Sequence, residues 1–83
     1  VRVAVDPDPI DARGAIDRMI ERGGTRIDGL GAYAAIELRR RPDFYKVMSQ
    51  HGGVLVEVMV VGDPARLKDE QVVALARLVA SRL

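Results

Sequence analysis

The most versatile chemical group in this chain is its single histidine, His51. A metal site needs three or four convergent ligands, and His51 has neither a cysteine nor a second histidine to share the work. Gln50-His51-Gly52-Gly53 reads instead as a hairpin turn with the imidazole exposed in it. Nucleophilic catalysis is as thinly provided for: the hydroxyls are Thr25, Ser49, Ser81 and the tyrosines Tyr33 and Tyr45, and none stands in a G-x-S-x-G setting. Asp6, Asp8 and Asp11 cluster around two prolines. Three carboxylates could hold calcium, but the spacing lacks the EF-hand order and its closing glutamate, and a strand end followed by a helix cap accounts for them. Gly29-Leu30-Gly31 lacks the third glycine of a dinucleotide fingerprint and follows no convincing strand, so it reads as a plain turn. Arg39-Arg40-Arg41 followed by Phe44 and Tyr45 is a combination that can hold phosphate and stack bases. It is confined to one turn, with no GxxG clamp and no RNP-like aromatic strand, and a solvated turn is the better reading. No catalytic residue, metal ligand or cofactor is assigned.

The elements that would have to position any such group can be read in turn. Val1-Arg2-Val3-Ala4-Val5 is β-branched and ends at Asp6-Pro7, as a strand does. Asp8-Pro9 opens a helix, with Asp8 as N-cap, Pro9 in the first helical position and Asp11 in the first turn. Ala12, Ala15, Ile16, Met19 and Ile20 form its one apolar stripe, and Gly23-Gly24 stops it. Residues 25–28 are a short extended link. Residues 32–39 carry helix-favouring residue types, yet Ala34, Ile36 and Leu38 alternate with Tyr33, Glu37 and Arg39, and alternation predicts a strand. Residues 44–49 and 54–61 are two further strands. Gly62-Asp63-Pro64 breaks the chain, and a second helix over 68–82 follows. Its stripe is Val72, Leu75, Ala76, Val79, Ala80 and Leu83; Asp69 and Glu70 lie at its positive end and Arg77 and Arg82 towards its negative end.

The expected fold is therefore α+β: a two-layer sandwich of order β-α-β-β-β-α, with a mostly antiparallel sheet and two helices on one face. With 83 residues it is one domain, 1–83. The opening at Val1 in mid-strand fits a domain excised from a longer chain. Hydrophobic residues make up 48%, which excludes a disordered chain, and 13 basic against 12 acidic side chains offer no field for nucleic acid or a membrane surface. No apolar run approaches the roughly 20 residues of a transmembrane helix, and the absence of cysteine removes disulfides and thiolate chemistry.

The hairpin carries the functional expectation. With His51-Gly52 at its tip, Met48 faces Leu55, Val47 faces Val56, Lys46 faces Glu57, Tyr45 faces Val58 and Phe44 faces Met59. One sheet face, with Tyr45, Val47, Val54, Val56, Val58 and Val60, is apolar and should pack on the two helices. The other carries Phe44, Lys46, Met48, Leu55, Glu57, Met59 and Val61, apolar around a single ion pair, which is unusual for a face left in water. Phe44, Lys46, Met48, Leu55, Glu57 and Met59 are accordingly the expected partner-binding residues. The occupant would be a protein partner or the remainder of a parent chain, a second copy included; a small apolar ligand is the other form.

The stretches Asp28-Gly29-Leu30-Gly31-Ala32-Tyr33-Ala34, Gly52-Gly53-Val54-Leu55-Val56-Glu57-Val58 and Leu75-Ala76-Arg77-Leu78-Val79-Ala80-Ser81-Arg82-Leu83 bear on the setting. Together they resemble the C-terminal half of small actinobacterial cell-envelope lipoproteins and related extracellular sensor domains. The resemblance covers residues 28–83. It implies an exported, lipid-anchored, non-enzymatic protein, and it carries over no catalytic residue. The expectation that follows is a non-catalytic binding or sensing module of an exported or cell-envelope protein, extracytoplasmic in location. The alternative is an accessory or dimerisation domain of a larger cytoplasmic enzyme.

Overall fold

The computed structural model of the chain describes residues 1–7, 10–40, 43–63 and 65–82. Val3 and Val5 favour extended backbone, and the first strand, β1 (Arg2–Asp6), runs up to Pro7. Helix α1 (Ala12–Glu21) follows. Its N-cap is Asp11, whose Oδ1 accepts the Gly14 N–H at 2.9 Å and so satisfies one unpaired amide of the first turn. The cap expected at Asp8-Pro9 falls outside the described residues; the helix starts at Ala12, so Asp11 caps it instead of sitting in its first turn. Gly23, at φ 107°, turns the chain out of the helix, and the amides of Gly23 and Gly24 close on the carbonyls of Ile20 and Met19.

Then come β2 (Thr25–Ile27), β3 (Tyr33–Arg39), β4 (Phe44–His51) and β5 (Val54–Val61), and the chain closes with α2 (Asp69–Ala80). The alternating segment 33–39 is a strand, as its pattern predicts. Gly31 is fixed twice over. Its φ is 61°, and a Cβ there would stand 2.3 Å from the Gln50 carbonyl oxygen, which accepts the Ala32 N–H at 2.8 Å. At the start of α2 the Gln71 side chain accepts the Lys68 N–H at 2.9 Å, and Asp69 and Glu70 occupy the positive first turn.

The five strands form one antiparallel sheet in the order β1-β5-β4-β3-β2. The α+β class holds, with three corrections to the finer expectation. The link at 25–28 contributes a strand, β2, which is too short for three residues to show alternation. The hairpin turn is Gly52-Gly53, so that His51 pairs with Val54, Val47 with Val58 and Phe44 with Val61. This pairing is slipped by two residues from the expected one. Because side chains alternate with period two, an even slip keeps every residue on its expected face.

The third correction matters most. The two helices lie on opposite faces, not on one. Val72 and Ala76 of α2 pack with Ala34, Ile36, Tyr45, Val47, Val56, Val58 and Val60. Ile16 and Met19 of α1 pack with Ala35 and Met48, which point the other way. A sheet apolar on both faces is covered on both, and Ala35, ending at its Cβ, leaves depth for α1 to seat Ile16 and Met19.

Candidate functional site

Consider the chemistry-bearing residues first. His51 closes β4 on the α2 face, and its Nε2 lies 2.8 Å from Ser49 Oγ. This is the spacing of a base and a nucleophile, and the sequence signal for it is simple: residues i and i+2 of a strand share a face. Yet Ser49 is 3% exposed, with no room for a substrate, and no acidic side chain is bonded to the imidazole among the described residues. The contact satisfies a buried hydroxyl. Asp8 of the aspartate trio lies outside the described residues, and among those described no three His, Asp or Glu side chains converge to hold a metal ion. The 29–31 turn is structural: Leu30 is 2% exposed in the main core, and Arg77 Nη2 donates to the Asp28 carbonyl at 3.2 Å.

Of the arginine run, Arg39 is committed within the fold. Arg39 is in β3, and its Nε is 3.0 Å from Glu37 Oε1; Arg22, past the end of α1, reaches the same oxygen at 3.4 Å. Glu37 is thereby held 8% exposed between two half-exposed guanidiniums. Arg40 lies 3.9 Å from Asp43, and Arg41 is outside the described residues. A second cluster sits where α1 meets β3. Tyr33 Oη donates to the Asp17 carboxylate, and the guanidiniums of Arg13 and Arg26 lie 4.6 and 5.1 Å from its ring centroid. The hydrogen bond to Asp17 raises the Tyr33 phenol above its ordinary value, with desolvation adding to it. Desolvation first, then the Asp69 charge, raises Tyr45, whose Oη donates to the Leu67 carbonyl at 2.9 Å.

The expected partner surface divides in two. On the α1 face the strand register sets Tyr33, Gln50, Leu55 and Asp6 in one row and Ala35, Met48, Glu57 and Ala4 in the next. Glu37, Lys46, Met59 and Arg2 form a third row, and Arg39, Phe44 and Val61 a fourth. Helix α1 sits on the β3–β4 side of the first two rows. Met48, 7% exposed, is core beneath α1, and Leu55 packs against the same cluster. These two are therefore removed from the expected contact surface. The reason is that α1 covers this part of the face expected to be open.

Phe44, Lys46, Glu57 and Met59 stay on the part of the face that α1 leaves bare, each partly exposed. Lys46 Nζ lies 2.6 Å from Glu57 Oε1. The two are diagonal neighbours, not the opposed pair expected: Lys46 stands opposite Met59 and Glu57 opposite Met48. Long side chains bridge such a diagonal, which is why the pair survives the slip in register. Beyond it Val1, Arg2, Phe44, Met59 and Val61 line an open hollow of about 260 Å³. Val1 and Arg2 are additions that the hairpin alone could not supply, since they come from β1 and the residue before it. A second hollow, about 350 Å³, lies between β2 and α2 and is lined by Arg26, Ile36, Asp69, Glu70, Val73 and Arg77 among others. Its charges are mixed. Among the described residues no helix is long and apolar enough to cross a membrane.

Set against known proteins, the chain matches no family model, no curated protein and no solved structure.

Proposed function

We propose that the chain is a non-catalytic binding module whose contact surface is the bare half of the α1 face, centred on Phe44 and Met59. The observation that carries this reading is the hollow lined by Val1, Arg2, Phe44, Met59 and Val61, next to the Lys46–Glu57 pair. At about 260 Å³ it takes one or two large apolar side chains of a protein partner or of the rest of a parent chain. Met59 adapts to the shape inserted. Lys46 and Glu57, 22% and 29% exposed, orient the partner through charge at the rim while contributing little affinity. The proposal of an extracytoplasmic, envelope-associated location rests on the resemblance of residues 28–83 described above.

The test is to replace Met59 by a photo-crosslinking analogue in the full-length protein in its producing cells, with Leu78, 50% exposed on α2, as the comparison position. An adduct to one protein at 59 and not at 78 supports the reading. An adduct of small-molecule mass would make the hollow a ligand site instead. Equal labelling at both positions, or none at 59, refutes it. Fractionation of the same cells reports the location. The second reading, an accessory or dimerisation domain of a larger enzyme, is favoured by one specific observation, the open edge of β1.

A further inference from the structure

β1 stands at the end of the strand order, so among the described residues β5 is the strand it pairs with and its outer side faces no other strand. All five of its residues are exposed. The opposite edge strand, β2, is only three residues long. The outer edge of a sheet is a template for another strand, and this one also shows Val3 and Val5, 44% and 46% exposed, on the α2 face.

The sequence of β1 says which strand fits. Arg2-Val3-Ala4-Val5-Asp6 is self-complementary when laid antiparallel to itself about Ala4. Arg2 then faces Asp6 of the second copy, Val3 faces its Val5, and Ala4 faces Ala4 across the two-fold axis. The same holds with the copies exchanged, as an isologous contact requires. Arg2, Ala4 and Asp6 share the α1 face, and Val3 and Val5 share the α2 face, so charge meets charge on one side and valine meets valine on the other. Both moves to the next in-face register break this match: centred on Val5, Asp6 of each copy faces Ala4, and centred on Val3, Arg2 of each copy does. Asp6 also interacts within its own chain, and a carboxylate accepts several donors at once, so the two contacts are compatible.

We infer that β1 is a homodimerisation edge: two copies join β1 to β1 antiparallel, in the register centred on Ala4, to make one continuous ten-stranded sheet. The pairing adds on the order of four to six main-chain hydrogen bonds and two Arg2–Asp6 pairs. Pro7 ends the strand and limits the contact to this short segment. The inference stands on β1 and does not depend on the hollow beside Phe44.

Sedimentation equilibrium of the chain over a wide concentration range tests it, with Arg2→Asp and Asp6→Arg run singly and as an equimolar mixture. Each single variant sets like charges opposite each other twice in its own homodimer, and self-association should weaken about tenfold or more. In the mixture the heterodimer restores opposite charges at both positions, so association should return. A parent chain that stays monomeric overturns the inference, and so does a dimer indifferent to the single variants or a mixture that fails to recover. If a variant loses its fold by circular dichroism, hydrogen exchange of the parent decides. β1 amides must gain protection with rising concentration, and amides of β2 must not; unchanged β1 amides overturn the inference.

Discussion

Met48→Ala asks whether the sheet is covered on both faces. Met48 is 7% exposed and touches the cluster of Ile16, Met19 and Ala35. Truncation removes about three methylene-sized groups from that contact, at about 0.8 kcal/mol each, or roughly 2 kcal/mol before any cavity is counted. A residual cavity raises the total within the range of about 2–5 kcal/mol seen for such truncations. Because α1 can settle partway into the space, a value near 3 kcal/mol is expected. For a domain this size each kcal/mol lowers Tm by about 4–8 °C, so the shift should exceed about 10 °C. Urea unfolding followed by circular dichroism, with the slope checked for constancy, measures it. The control is Met59→Ala on the same face but beyond the reach of α1, where the loss should stay below about 1 kcal/mol. If Met48→Ala costs no more than Met59→Ala, α1 does not cover that face, and the placement of the helices on opposite sides is wrong.

Other perturbations follow from the polar contacts. His51→Ala should cost about 1–3 kcal/mol by leaving the buried Ser49 hydroxyl without its side-chain partner; in a double-mutant cycle with Ser49→Ala the two losses should be less than additive. Glu37→Gln should destabilise by about 1 kcal/mol at low ionic strength, since both arginines are near half exposed. The loss should shrink in concentrated salt, as chemical denaturation at two ionic strengths can show. Tyr33 and Tyr45 are both raised above the ordinary phenol value of 10.0. Their neutral forms are favoured by the fold, so this stability is fully present below the unfolded value near 10 and is lost as pH rises through the folded values. Absorbance titration of the phenolates should show both ionising above 10, and Tyr33→Phe should remove one step.

What the sequence made legible follows from which signals are local. The alternation of Ala34, Ile36 and Leu38 outweighed the helix propensity of the same residues, and β3 is a strand. Gln50-His51-Gly52-Gly53, read with His51-Gly52 at the tip, located the hairpin turn within one residue, and parity did the rest: every hairpin side chain fell on its expected face despite the slipped register. The side of the sheet on which each helix packs is not local. Both stripes need only an apolar surface, and nothing in either helix says which side to choose. The signal is present in the hairpin, whose second face is rich in Met48, Leu55, Met59 and Phe44, but an apolar face does not say whether a partner or a helix of the same chain covers it, and here α1 covers Met48 and Leu55. The hollow depended on β1 pairing with β5, a contact between segments far apart in sequence that no short pattern encodes. The Glu37–Arg22 contact likewise joins α1 to β3 through tertiary packing alone.

That pairing of β1 with the distant β5 has a consequence for how the protein is made. On a ribosome β1 and α1 emerge before the strands that cover them, and Val3 must wait for Val58 before it can make its pairing in the sheet. Ile16 and Met19 wait for Ala35 and Met48, and the larger cluster waits for Val72 and Ala76, which follow the last strand. The strands from β2 to β5 are sequential neighbours and can form as a meander while translation continues. Until α2 leaves the exit tunnel, however, the valine-rich side of that meander is bare, the condition in which nascent chains associate wrongly. A stalled or truncated product lacking α2 is thus the species most in need of a chaperone.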